Sequence, residues 1–118
     1  MADRADLLRI EDMATATARV LAYVEGMPFE AFRADERTVD AVLRSLAVLG
    51  ETAARVTDET RALAPEIEWG RIVRSRHIIV HDYFGVDLGI VWRIVTAHLP
   101  PLSAQLAARR LAPEASGE

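Results

Sequence analysis

Between Val39 and Ala53, apolar or small residues return at every third or fourth position: Val39, Val42, Leu43, Leu46, Leu49, Gly50 and Ala53. That rhythm puts them on one stripe of an α-helix and gives no consistent face to a strand. The same spacing runs through Leu7, Ile10, Ala14, Ala18 and Leu21, with Met13, Val20 and Val24 widening the stripe. Such a chain closes its core by packing helix on helix. Its hydrophobic residues make up 51% of the sequence, yet aromatics only 6%. Ala, Leu and Val supply the bulk, which favours closely packed helices over a sheet sandwich. A chain of 118 residues holds one core of this kind.

The expected order is as follows. A first helix covers about Asp6 to Glu25, capped by Asp3 or Asp6 and stopped by Gly26 and Pro28. Pro28 to Asp35 is a connection with one short turn at Phe29–Phe32. A second helix runs from Glu36 to about Asp58. Gly50 lies on its apolar face, at a cost of about 1 kcal/mol of helix propensity against Ala, so the spacing predicts close approach of another helix there. Glu51 reads as a surface acid or the partner of a buried Arg. Thr60 to Glu66 forms a further turn. A third helix starts at Glu68 or Trp69 and ends at Gly85. Asp87 caps a fourth to about His98, with Leu88, Val91, Trp92, Val95 and Leu99 on one face and Ile90 and Ile94 on another. Pro101 opens a short last helix with Leu102, Leu106 and Leu111 inward. The expected fold is all-α: an up-and-down four-helix bundle (residues 1–112) with a short extra C-terminal helix, a flexible tail at 113–118, and a symmetric homodimer.

There is no cysteine, which excludes disulfides and thiolate metal sites. No apolar run reaches the roughly 18 residues of a membrane span, and the N-terminus has no signal-peptide core. These features lead to the expectation of a soluble cytoplasmic protein. The net charge of −4 argues against binding to bulk nucleic acid. It leaves room for a local basic site, and Gly70 to Val80 holds three Arg and no acid.

The chemistry-bearing residues crowd into Trp69–Trp92. At about 100° per residue, Trp69, Ile72, Val73, Arg76, Ile79 and Val80 share one face, so Arg76 falls inside the apolar stripe. A buried guanidinium without partners is very costly. Arg76 must meet an acid, a backbone carbonyl, a second subunit or a phosphate. Arg74, His77 and His81 share a neighbouring face roughly 80–140° away. Cleaving RNA without a metal needs a base for the ribose 2′-hydroxyl and positive charge for the phosphorane. His is a base or acid at neutral pH, and Arg offers a planar fork of donors to phosphate. Arg74 lies on the face of His81 and competes with Arg76 for the phosphate role. His77 and His81 have zinc-compatible spacing, but no Glu follows His77 and no third ligand is apparent. No metal or cofactor is expected. His98 near a helix C-terminus is explained by the helix dipole. Trp69 and Trp92 read as core, Tyr23 as a packing residue and Asp82 as a solvated acid.

Arg76, four residues, His81, one residue, Tyr83 resembles the signature of the HEPN ribonucleases. The run His81 to Leu88 followed by Val91-Trp92 is similar to the HepT-like branch in particular. The likeness extends to Leu8–Met13, Gly50-Glu51, Pro65–Trp69 and Leu99–Leu102. HepT-like proteins often carry Asn after the motif Arg, where this chain has His77, which can act as an extra phosphate donor. The resemblance implies a toxin whose antitoxin is a minimal nucleotidyltransferase, and a homodimer with the two motifs facing across a cleft. It also implies RNA cleavage to a 2′,3′-cyclic phosphate, with Arg76 and His81 catalytic. Tyr83 would be the acceptor of AMP and part of the site wall; Arg74 and His77 would bind substrate phosphate. The alternative is a non-catalytic HEPN module that scaffolds or presents a substrate to a nucleotidyltransferase.

Overall fold

The computed structural model describes residues 3–81 and 85–116, with side chains described for 3–77 and 85–109. Among the described residues every regular element is helical. α1 spans Arg4–Tyr23, α2 Phe29–Ala34, α3 Glu36–Arg55, α4 Asp58–Ala62 and α5 Trp69–His81. α6, Leu88–Arg93, passes through a π-helical turn, Ile94–His98, into α7, Leu99–Ser116. α3 packs between α1 and α5, α7 lies along α1, and α2 joins α3 to α6.

Local chemistry sets the helix ends. Asp3, not Asp6, caps α1: its carboxylate accepts from the Asp6 N–H at 2.8 Å. Gly26, at φ +75°, turns the chain after α1 in a region that disfavours a side chain. Asp35 caps α3 through the Thr38 N–H and hydroxyl. α3 ends at Arg55, earlier than the sequence predicts, because Thr57 caps a separate short helix, α4. Asp87 caps α6 as expected, accepting from the N–H groups of Gly89 and Ile90.

The predicted seams supply most of the core, although in the α1 stripe Ala18 is exposed and Leu7, Ala14 and Leu21 are half-buried. Met13, Val20, Val42, Leu46, Val91, Val95, Leu99 and Leu106 are buried, each worth roughly 1.5–3 kcal/mol in area removed from water. Phe32 is fully buried, with its ring 5.0 Å from that of Trp92; Trp92 is half-buried and packs against the core from its edge. Tyr23 is exposed rather than packed.

The C-terminal region departs from expectation. In place of a helix ending at His98 and another starting at Pro101, one helical path continues from Leu88 to Ser116. Pro100 and Pro101 have no N–H, and their rings would press on the carbonyls one turn back. The backbone takes up both by widening: Leu99 N–H bonds to Ile94 O, five residues back. The second apolar face expected on α6 is also reduced, since Ile94 packs against the core and Ile90 stays exposed.

A buried acid ties α1 to α4. Asp6 has no exposed surface. Its carboxylate accepts from the Thr57 hydroxyl at 2.6 Å, the Thr57 N–H at 3.3 Å, the Thr60 hydroxyl at 2.5 Å and Arg9 at 2.8 Å.

Candidate active site

α5 carries the Arg–His motif, and three contacts anchor it. At its start, the Trp69 indole is buried and donates to Ala64 O at 3.1 Å. Arg61 lies over the same ring, its guanidinium carbon 5.8 Å from the centroid, and donates to Val56 O and Ala53 O at the end of α3. In the middle, α5 meets α3 at Gly50. A Cβ on Gly50 would stand 2.8 Å from Arg76 Cβ and 3.2 Å from Ile72 O. The close approach predicted from the misplaced glycine is therefore present, and the residue it admits is Arg76.

Arg76 is half-buried. Among the described residues no acid pairs with it, although other arginines find partners: Arg9 with Asp6, Arg33 with Glu30, Arg71 with Glu68 and Arg109 with Glu66. Glu51 is exposed and takes the surface reading. Arg74 is exposed and folds back over the helix start, its Nη1 lying 2.9 Å from where a Cβ on Gly70 would be. His77 is exposed.

His81 is the last residue of α5, with its side chain outside the described set; Asp82 and Tyr83 also lie outside the described residues. The α5 backbone is α-helical without a break from Trp69 to His81. The five-residue step from Arg76 to His81 thus turns roughly 140° around the axis.

An apolar cleft of about 140 Å³ opens elsewhere, between α3, α5 and the π-turn, over Leu46, Leu49, Ile72 and Leu102. Its rim holds a polar cluster that sequence reasoning missed. Arg71 pairs with Glu68 at 3.2 Å and donates to His98 Nδ1 at 3.0 Å. His98 is therefore held by a side-chain partner; the helical path continues past it to Ser116, so no helix C-terminus lies there and the dipole reading falls. No local pattern signals this cluster, because Arg71 and His98 are 27 residues apart. Ile72 in its floor and His81 are about two and a half turns apart along α5 and on opposite faces of it. Arg76 does not line the cleft either, and we assign the cleft no part in the Arg76–His81 chemistry. Among the described residues, no group of His, Asp or Glu is arranged to hold a metal ion, and no helix is long and apolar enough to cross a membrane.

The family model described as Ribonuclease HepT-like matches residues 13–109, a span that includes Gly50, α5 and the π-turn. The chain belongs to the HepT-like ribonuclease family. A protein of Thermococcus cleftensis named "Probable ribonuclease HepT" is 33% identical over 96 residues, covering 81% of this chain and 87% of that protein. A protein of Methanocaldococcus jannaschii named a "Putative RNase" is 32% identical over 81 residues, 69% of this chain and 67% of its own. Another of that description, from Caldanaerobacter subterraneus, is 32% identical over 83 residues, 70% and 74% of the two chains. No solved structure gives a significant match. Membership of this ribonuclease family supports RNA as the substrate class and locates the motif of α5 inside the shared region.

Proposed function

We propose that the chain is a metal-independent endoribonuclease toxin of a two-gene system. The observation that carries the reading is Arg76, half-buried and without an acidic partner among the described residues, five positions before His81 on the helix that the family span contains. The 2′-oxygen of a ribose attacks the adjacent phosphorus, and the bond from phosphorus to the 5′-oxygen breaks. The products are a 2′,3′-cyclic phosphate and a 5′-hydroxyl. The His81 imidazole moves a proton, as base at the 2′-oxygen or as acid at the leaving 5′-oxygen. Arg76 donates to the phosphoryl oxygens as charge builds on them, with Arg74 and His77 holding flanking phosphate.

An unbroken α5 turns Arg76 and His81 to different faces, which supports a site shared by two copies. In this reading an up-and-down four-helix bundle pairs as a C2 dimer, each α5 facing its mate across the RNA cleft. A nucleotidyltransferase antitoxin transfers AMP from ATP to the Tyr83 hydroxyl. Each AMP adds roughly one negative charge beside the cations that RNA needs.

Cleavage of RNA in EDTA by the purified protein, with Arg76→Ala and His81→Ala as comparisons, tests the assignment. Each variant should lose activity by at least about 100-fold while keeping helicity and the sedimentation of a dimer. Full activity of His81→Ala, or a monomer that cuts RNA, would overturn the corresponding part. Incubation with the partner and Mg-ATP should add the mass of AMP at Tyr83. Complete inhibition at unchanged mass would instead mean steric occlusion.

A further inference from the structure

We infer that Gly50 is a positioning residue for RNA cleavage: the missing side chain on α3 sets where Arg76 stands. The inference rests on the function proposed for Arg76. An added Cβ would meet Arg76 Cβ at 2.8 Å, Ile72 O at 3.2 Å and Arg76 Cα at 3.5 Å. These are the root of a side chain and the backbone itself, so no rotamer change relieves the contact. Helix α5 as a whole must withdraw or tilt, by roughly 1 Å to restore ordinary van der Waals separation. Gly70 shows the contrast: its added Cβ would meet only the tip of the Arg74 side chain, which can swing away.

The Ile72 carbonyl sharpens the constraint. It already accepts the Ser75 hydroxyl at 2.7 Å, so the turn of α5 that faces Gly50 is held from its own helix as well. α5 is also fixed at its start through Trp69 and Arg61. With that end anchored, displacement at Gly50 becomes a tilt that carries Arg76 and the residues beyond it away from α3. An error of about 1 Å in a group that stabilises the transition state can cost roughly 100-fold in rate, while RNA held by other phosphate contacts still binds.

The test is Gly50→Ala, measured beside Val42→Ala, a core truncation in the same helix, and Arg76→Ala. Steady-state RNA cleavage is followed at a temperature where thermal unfolding shows every variant folded. Gly50→Ala should lower kcat by about 10- to 100-fold with KM within about threefold, and Val42→Ala should leave kcat unchanged. Gly50→Ala with kcat within twofold of the parent, beside an inactive Arg76→Ala, would overturn the positioning role and leave the proposed function standing. Equal losses in Gly50→Ala and Val42→Ala would reduce Gly50 to a purely structural residue and also overturn it. A fully active Arg76→Ala would remove the function reading, and this inference with it.

Discussion

Replacing Asp6 with Asn should make stability less dependent on pH, and the structure sets the size. Burial pushes the Asp6 carboxyl up. The hydrogen bonds from Thr57, Thr60 and Arg9 more than offset that and hold the pKa at about 2, against 3.8 for a free carboxyl. A shift of that size corresponds to about 2 kcal/mol of folding free energy, with some loss to solvent screening on the Arg9 side. Because the folded pKa is the lower one, the unfolded chain binds the proton more readily. The contribution is complete above about pH 5, falls to about half near pH 3, and is lost as pH drops through 2.

The Asp6→Asn side chain would present an amide N–H₂ where hydroxyl and N–H donors now converge, and it cannot titrate. Urea unfolding at fixed protein concentration, with an unchanged m-value, should show Asp6→Asn destabilised by about 2–3 kcal/mol at pH 7. The gap to the parent should narrow as pH falls from 5 to 2. A gap of constant size across that range, or one below about 0.5 kcal/mol at pH 7, would refute the assignment of this carboxylate as a charged structural node.

The neighbouring Thr57 also caps α4, so Thr57→Val should cost about 2 kcal/mol by the same unfolding assay. Phe32→Ala empties a site fully enclosed beside Trp92 and should cost about 3–5 kcal/mol, read as a fall in urea midpoint. Trp69→Phe strands the Ala64 carbonyl and should cost about 1–2 kcal/mol, visible as a lower Tm. His98→Ala should keep RNA cleavage within about threefold of the parent, because the cleft it borders opens on the face of α5 about 180° from His81; a loss of 10-fold or more would bring the cleft into the site.

Much of the fold was legible because helix formation here is a local matter. The seam of α3 is visible in the spacing of Val42, Leu43, Leu46, Leu49 and Ala53, and all five are buried. Asp87 caps the helix that follows it, as its position before Leu88 predicts; the Thr57 cap, which ends α3 early and opens α4, is not read from the sequence. What escaped depends on contacts between distant residues. Asp6 looks like any first-turn acid until Thr57 and Thr60, more than fifty positions away, close over it. The two prolines after His98 read as a helix boundary. Whether a chain ends or widens there is decided by the burial of Val95, Leu99 and Leu102 on one continuous face, which favours keeping the path unbroken.

The candidate site divides along the same line. The sequence shows Arg76 in an apolar stripe and a glycine where α3 needs none, as two separate anomalies. Packing α5 on α3 turns them into one feature, because the glycine is what lets the arginine's backbone approach. The inward face of α5 is thereby spent on contact with α3, while Arg74 and His77 remain exposed on the outer side. A group that must act on the same phosphate as Arg76 then has to reach around the helix or come from a second copy. An unbroken α-helix through His81 makes reaching around costly, since it requires local unwinding of a rod tied down at Trp69 and Gly50. In the dimer proposed above, a two-fold axis would supply the second group from the other copy, with no unwinding of α5.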